Sequence, residues 1–292
     1  MSLLKYYEID LIKITRMKTI LVPIDFSETS DNALHYAASL GQHVSANLLL
    51  LHVNTLPVYT NEYDVASYTI NDSVIDSLSV LKEKAKAIKS EFKYDGEINC
   101  IAEAGNLKTA IQDVIFKHTI DFVVMGITGH STKIGQMVFG SNAVSVSREA
   151  NIPVFIIPTA CKFKAIKNIA YASQYVSDIR EHTGLIQIKN ISALFNSKLF
   201  VLHVIPENHL INQMESETDQ FVEEKLENVN HRTFILTDNK VSVALLDFIK
   251  THDIDLVVIE QKKHSFLHKL LYPSATKEVA FASPIPVLTI HS

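Results

Sequence analysis

The residues best suited to chemistry lie in one run, Gly126-Ile127-Thr128-Gly129, followed after ten further residues (130–139) by Gly140-Ser141. Glycines at 126 and 129 let a backbone turn sharply and approach a ligand with no Cβ in the way. Gly140-Ser141 stands where a helix is expected to start, so unpaired N–H groups and the positive end of the helix dipole would face an anion there. Ser141 adds a hydroxyl for a phosphate oxygen. Taken alone, such glycines make ordinary turns and Ser141 an ordinary N-cap. A second candidate is Asp25, which closes the apolar run Thr19–Ile24. An aspartate in that place is commonly a loop or cap residue.

Other constellations are weaker. A Gly-x4-Gly-Lys-(Ser/Thr) motif is absent from the sequence, and with it the usual lysine and magnesium-binding hydroxyl of efficient NTP hydrolysis. A Gly-x-Ser-x-Gly nucleophile elbow is absent too. His130 follows Gly129 and reads as a solvent-facing loop histidine. His52 and His203 close apolar strands and read as packing residues, while His118 and His252 sit late in helices, where a cationic ring suits the dipole. His264 and His268 are four apart, a spacing that can bind zinc, but only Glu260 stands near as a third ligand, so a metal site is not expected.

Positioning these residues requires a scaffold, and the chain supplies one twice. Lys18–Asp25 is repeated by Lys167–Gln174, and Leu51-His52-Val53 by Leu202-His203-Val204. Ala110–Asp121 is repeated by Ala244–Asp255, each leading into an apolar run, Phe122–Met125 and Leu256–Ile259. Each half closes on a proline-led strand, Val154–Ile157 after Pro153 and Val287–Ile290 after Pro286. This is duplication of a whole domain. Within the first half, strands expected at 19–24, 47–53, 98–102, 122–125 and 154–157 alternate with helical patterns. These run from a cap at Ser30 or Asp31 to Gly41, then over 72–92, 108–118 and 141–150. The 72–92 stripe comprises Val74, Ile75, Leu78, Leu81 and Ala85. Strand–helix alternation with fully apolar strands implies an open parallel sheet covered on both faces. The second half keeps the order with 51 residues between Val204 and Asp255, against 68 between Val53 and Asp121. Ligands of such sheets sit outside the carboxyl ends of the strands, where the winding reverses. Asp25 and the glycine loop, following strands one and four, meet there.

The loop, the opening Ile20–Asp25 and the Leu51-His52-Val53 strand resemble the universal stress protein family, whose ATP-binding members carry Gly-x2-Gly-x9-Gly-(Ser/Thr) after strand four. The resemblance spans residues 17–292 as a tandem arrangement. It implies an α/β fold of two five-stranded parallel-sheet domains, Rossmann-like and similar to adenine-nucleotide alpha hydrolases. Residues 17–158 form the first and 167–292 the second, with 1–16 as an extension. In the family the last strand pairs with its equivalent in a second domain, so Val154–Ile157 and Val287–Ile290 are expected to pair within the chain as a pseudo-dimer, with further homodimerisation open. The resemblance also implies adenine at Asp25, base contacts from the Val53 backbone, and phosphates at Gly126, Gly129, Gly140 and Ser141. The ligand would be ATP or another adenine nucleotide, with magnesium as its companion.

Two departures stand out. The ten residues before Gly140 are one more than the family pattern. In the second half Glu260, Lys263 and Pro273 occupy the three glycine positions and Gln174 stands for Asp25. A glutamate repels phosphate and a proline lacks the donor N–H, so that half is not expected to bind ATP in the family manner.

Composition narrows the function classes. The 292 residues carry 27 Lys/Arg against 32 Asp/Glu, a net charge of −5, which disfavours a nucleic-acid binder. Apolar residues make up 47%, enough for well-filled cores. Cys100 and Cys161 are far apart with no metal-ligand spacing, consistent with a reducing cytoplasm. No apolar run is long enough to span a bilayer, and Glu8 and Asp10 break the N-terminal apolar stretch, so neither a membrane span nor a secretory signal is expected. The leading expectation is a cytoplasmic stress-response sensor or regulator with at most slow hydrolysis, acting through an unknown protein partner. The alternatives are a nucleotide-free interaction scaffold and a weak ATPase.

Overall fold

A computed structural model describes residues 18–55, 66–127, 141–173, 183–205, 220–261 and 272–291. The first half comprises β1 (Lys18–Pro23), α1 (Glu28–Val44), β2 (Ala46–Asn54), α2 (Ala66–Glu91), β3 (Ile98–Ala104), α3 (Leu107–Lys117), β4 (Phe122–Ile127), α4 (Ser141–Glu149) and β5 (Val154–Pro158). The second comprises β6 (Asn168–Ser173), α5 (Thr183–Phe195), β7 (Lys198–Ile205), β8 (His231–Thr237), α6 (Val241–Thr251), β9 (Leu256–Gln261), α7 (Tyr272–Ala282) and β10 (Val287–His291). The N-terminal extension expected at 1–16 lies outside the described residues.

All ten strands join one sheet in the order β3-β2-β1-β4-β5-β10-β9-β6-β7-β8. Every pairing is parallel except β5 with β10, which run antiparallel with Val287 opposite Ile156, Leu288 opposite Phe155 and Thr289 opposite Val154. The last strands of the two halves therefore pair as expected. Two edges that would otherwise offer unpaired backbone become the centre of the sheet. The junction is reinforced by Thr289 Oγ1 donating to Val154 O (3.4 Å), and by His291 Nε2 at 2.7 Å from Ser147 O. On the linker, Asn32 Nδ2 donates to Pro158 O and Cys161 O (3.2 and 3.1 Å), and Lys162 Nζ donates to Asn32 Oδ1 (2.9 Å).

Alternation along the strands divides the core into two layers, because successive side chains leave opposite faces. Ile20, Val22, Leu48, Leu50, Val124 and Phe155 pack beneath α1 and α2, continuous with Ile169, Leu199, Val258 and α5. Leu21, Leu49, Leu51, Val123, Met125 and Ile156 pack beneath α3 and α4, continuous with Leu202, Val257, Ile259, α6 and α7. The halves also share a brace. Asp121 accepts from the Thr19 N–H (2.8 Å), and Asp255 from the Lys167 and Asn168 N–H groups (2.8 and 2.9 Å).

Several sequence expectations need correction. The cap of α1 is Ser27, whose hydroxyl accepts from Ser30 N, and the helix passes through Gly41 to end at left-handed Ser45 (φ 53°). Gly41 is a packing glycine: a Cβ there would stand 2.1 Å from the Tyr94 hydroxyl, which is fixed by donating to Ala46 O (2.7 Å). In α2 the buried stripe runs through Ser77, Leu81, Ala85 and Ile88, leaving Ile75 64% exposed. Strand β4 extends through Gly126 to Ile127, so Gly126 is a strand residue rather than the first of a turn.

Candidate functional site

In the first half the chain winds from β1 outward to β2 and β3, then crosses back to β4 and β5. The reversal falls between β1 and β4, and their carboxyl ends open a crevice there. Asp25 follows β1 at this point. Ile24 is held by its N–H donating to Leu51 O (2.8 Å). The next residue, Phe26, lies in the left-handed region at φ 63°, a conformation that costs a non-glycine residue about 1–2 kcal/mol. That turn swings Ser27 back over Asp25. Asp25 Oδ1 accepts from the Ser27 N–H (3.0 Å) and the Ser27 hydroxyl (2.5 Å). Ser27 Oγ accepts in turn from Ser30 N (3.2 Å) at the start of α1.

Partial burial pushes the Asp25 carboxyl up, but the hydrogen bonds from the Ser27 hydroxyl and N–H, together with Ser30, outweigh it. The group is held below its ordinary value of 3.8. Asp25 is thus an exposed carboxylate, fixed in direction and charged at neutral pH. His52 completes the wall: its Nδ1 donates to Ile24 O (2.7 Å) and its ring stacks on Phe26 at 4.3 Å between centroids. Val53, half-buried, follows His52 in β2 and lies opposite Glu103 of β3. His52 therefore ties strand ends together, the packing role expected of it.

Gly126 is required by the scaffold itself. A Cβ at that position would stand 2.5 Å from the Thr29 carbonyl oxygen and 2.6 Å from its methyl group. The lack of a side chain lets the end of β4 approach the first turn of α1, the helix that Asp25 leads into. α4 begins at Ser141. It follows β4 and packs on the face of the sheet opposite α1. Gly129, Gly140 and His130 lie outside the described residues, as do Gln174, Lys263, His264 and His268. Of the sequence-predicted residues, Asp25 follows β1, Val53 lies in the paired strand β2, and Gly126 packs against Thr29 in the first turn of the helix that Asp25 leads into. Sequence reasoning missed Phe26, Ser27 and Thr29, and gave Ser30 only as a candidate cap. The Asp25-Phe26-Ser27 spacing of an aspartate two before a serine was the available signal, since an aspartate readily bonds the backbone two residues on.

The second half resolves the equivalent place differently. At the β6/β9 reversal, Glu260 occupies the position of Gly126 and is buried. Tyr171 donates to Glu260 Oε2 (2.5 Å). Gly184, the second residue of α5 as Thr29 is of α1, makes room for that carboxylate: a Cβ on Gly184 would stand 2.4 Å from it. Cys100 and Cys161 are free thiols, both pushed up by burial despite nearby lysines. Among the described residues no cluster of three metal-ligating side chains occurs.

A duplicated, doubly wound parallel sheet with a fixed carboxylate and a glycine at one reversal point defines a class of α/β proteins built for ligands at the strand ends. The universal stress protein family matches residues 17–158 and 187–291, and the chain belongs to that family. Universal stress protein Slr1230 of Synechocystis sp. is 22% identical over 94% of this chain and 100% of its own length. A universal stress protein A homolog of Haemophilus ducreyi is 27% identical over 143 residues, 48% of this chain and 96% of that protein. A universal stress protein from Archaeoglobus fulgidus superposes with a TM-score of 0.71 at 20% identity, over 94% of this chain and 98% of that one.

Proposed function

We propose that the first half binds ATP or a related adenine nucleotide at the β1/β4 reversal and that the protein works as a nucleotide-gated stress-response regulator in the cytoplasm. The observation that carries this reading is the Asp25 carboxylate, held ionised and aimed by Ser27 at the end of β1. A fixed acceptor there suits the exocyclic amino group of adenine, and the Val53 backbone lies one strand away for the base. Phosphates would meet the backbone of residues 126–140 and the N–H groups and hydroxyl at Ser141, where the start of a helix favours an anion. Gly126 serves by letting the end of β4 pack against Thr29. Magnesium would accompany the phosphates and neutralise them. The chain lacks a P-loop lysine, so hydrolysis is at most slow.

The second half acts as a structural or regulatory partner, since a buried glutamate stands in its equivalent crevice. Nucleotide binding would change a surface read by a protein partner. The test is calorimetric titration of ATP and magnesium into the nucleotide-stripped full chain and into Asp25→Ala. One ATP per chain, weakened strongly in the variant, is the expected result. No heat and no thermal stabilisation up to millimolar ATP would overturn the reading in favour of a nucleotide-free interaction scaffold.

A further inference from the structure

On the opposite, amino-terminal side of the first half, a cavity of about 370 Å³ opens between the beginnings of β1, β2 and β3 and the end of α3. Leu49 and Ile101 form an apolar floor, and Asn47, Asn99, His118 and Thr119 form a polar rim. Asn47 is already oriented, because its Oδ1 accepts from the Glu97 N–H (2.8 Å). The volume falls within the roughly 300–1,000 Å³ usual for small-molecule sites, which combine apolar walls with a few placed polar groups.

The second half shows that the fold does not demand this opening. In the strand registers, Leu49 corresponds to Phe200 and Ile101 to Phe234, while along the helix Val114 corresponds to Phe248 and His118 to His252. There the space is filled. Phe200 and Phe234 lie 5.9 Å apart at 21°, Phe234 meets Phe248 edge-on at 5.1 Å, and Phe248 stacks on His252 at 3.8 Å and 10°. Lys198, equivalent to Asn47, covers the Phe200 ring at 5.0 Å. Three phenyl rings against a histidine are therefore the shape that closes this place. The first half keeps the histidine, replaces each phenylalanine with a smaller aliphatic residue, and exchanges Lys198 and Arg232 for two asparagines.

We propose that this cavity is a binding site, separate from the strand-end crevice, for a small neutral molecule of one or two aromatic rings bearing a hydroxyl or amide group. The ring lies on Leu49 and Ile101 and stacks on His118, in the place that phenylalanine rings take in the second half. Its polar edge meets the side-chain amides of Asn47 and Asn99, which can both donate and accept. Among the described residues no carboxylate, ammonium or guanidinium lines the cavity, which favours a neutral ligand.

The test uses the full chain with phenol, indole and benzene as probes, followed through backbone amide NMR shifts. Phenol and indole are expected to bind at about millimolar concentration or below, with shifts centred on Asn47, Asn99, Ile101 and His118. Leu49→Phe/Ile101→Phe, which installs the second half's own rings, should weaken binding at least about ten-fold while leaving the melting temperature unchanged or higher. Asn99→Ala alters only an exposed side chain, and should weaken phenol by about three- to ten-fold but leave benzene as before. Asp25→Ala should bind all three probes like the wild type. Absence of these shifts up to about 10 mM probe would overturn the proposal. So would unaltered phenol binding by Asn99→Ala or by a folded Leu49→Phe/Ile101→Phe.

Discussion

The two winding reversals of the sheet pose one steric problem and answer it in opposite ways. Where β4 meets α1, the strand residue is Gly126 and the helix residue is Thr29. Where β9 meets α5, the strand residue is Glu260 and the helix residue is Gly184. Only one side of each contact can carry bulk, because the strand end and the first helical turn approach too closely for two side chains. The exchange has a chemical consequence. In the first half the strand end is bare and a carboxylate, Asp25, stands exposed across from it. In the second the carboxylate belongs to the strand itself, is buried, and is satisfied by Tyr171. Replacement of glycine in the second half is thus part of a repacked core.

The largest expected effect tests the steric half of this comparison. Gly126→Ala sets a methyl group against the Thr29 backbone carbonyl, which cannot move without displacing α1. A destabilisation of about 2–3 kcal/mol is expected in chemical denaturation. Gly184→Ala meets a side-chain carboxylate rather than backbone, and displacing it disturbs its hydrogen bond from Tyr171, so a smaller loss of about 1–2 kcal/mol is expected. Equal losses in the two variants would show that the contacts are not equivalent.

Next in size is the chemical half. Asp25→Ala should weaken ATP by about 2 kcal/mol, or roughly thirty-fold, the usual worth of a hydrogen bond to a charged group. Gln174→Ala, at the corresponding position of the second half, should change ATP affinity less than about two-fold. A larger effect of Gln174→Ala would place nucleotide in the second half and reverse the assignment. Smaller again is Ser27→Ala, which removes both the cap of α1 and the hydroxyl that aims Asp25. About 1 kcal/mol of stability should be lost, together with a measurable fraction of ATP affinity. If stability falls while affinity stays fixed, Ser27 is a cap and nothing more.

Much of this was readable from the chain, for reasons tied to particular residues. Strands such as Thr19–Ile24 and Phe122–Met125 are apolar on both faces, so their burial and parallel pairing follow from composition alone. The β5–β10 junction was legible because Val154–Ile157 and Val287–Ile290 match as repeats and a family resemblance pairs such strands. Contacts between residues far apart in sequence were not legible. Nothing local to Gly126 says that Thr29 lies against it, nothing in Gly41 announces the Tyr94 hydroxyl, and nothing beside Glu260 points to Tyr171 and Gly184 around it. The end of α1 was set too early for the same reason: a helical glycine normally signals a stop, and here it makes room for a ring.

The smallest effect follows from the ionisation of Asp25. Its carboxyl is held below 3.8 in the folded protein by Ser27 and Ser30, against the opposing pull of partial burial. A carboxyl whose folded value is depressed adds stability that is fully present above its unfolded value and disappears as pH falls through the folded one. The difference in melting temperature between wild type and Asp25→Asn should therefore be flat from neutral pH down to about pH 5 and contract only below 3.8. Gln174 carries no titratable group, so Gln174→Ala should show no change of this kind across the same range. A rise in wild-type stability relative to Asp25→Asn as pH falls toward 3.8 would mean that burial dominates at Asp25. The fixed acceptor at the first crevice would then be lost, and with it the main electrostatic distinction between the two halves.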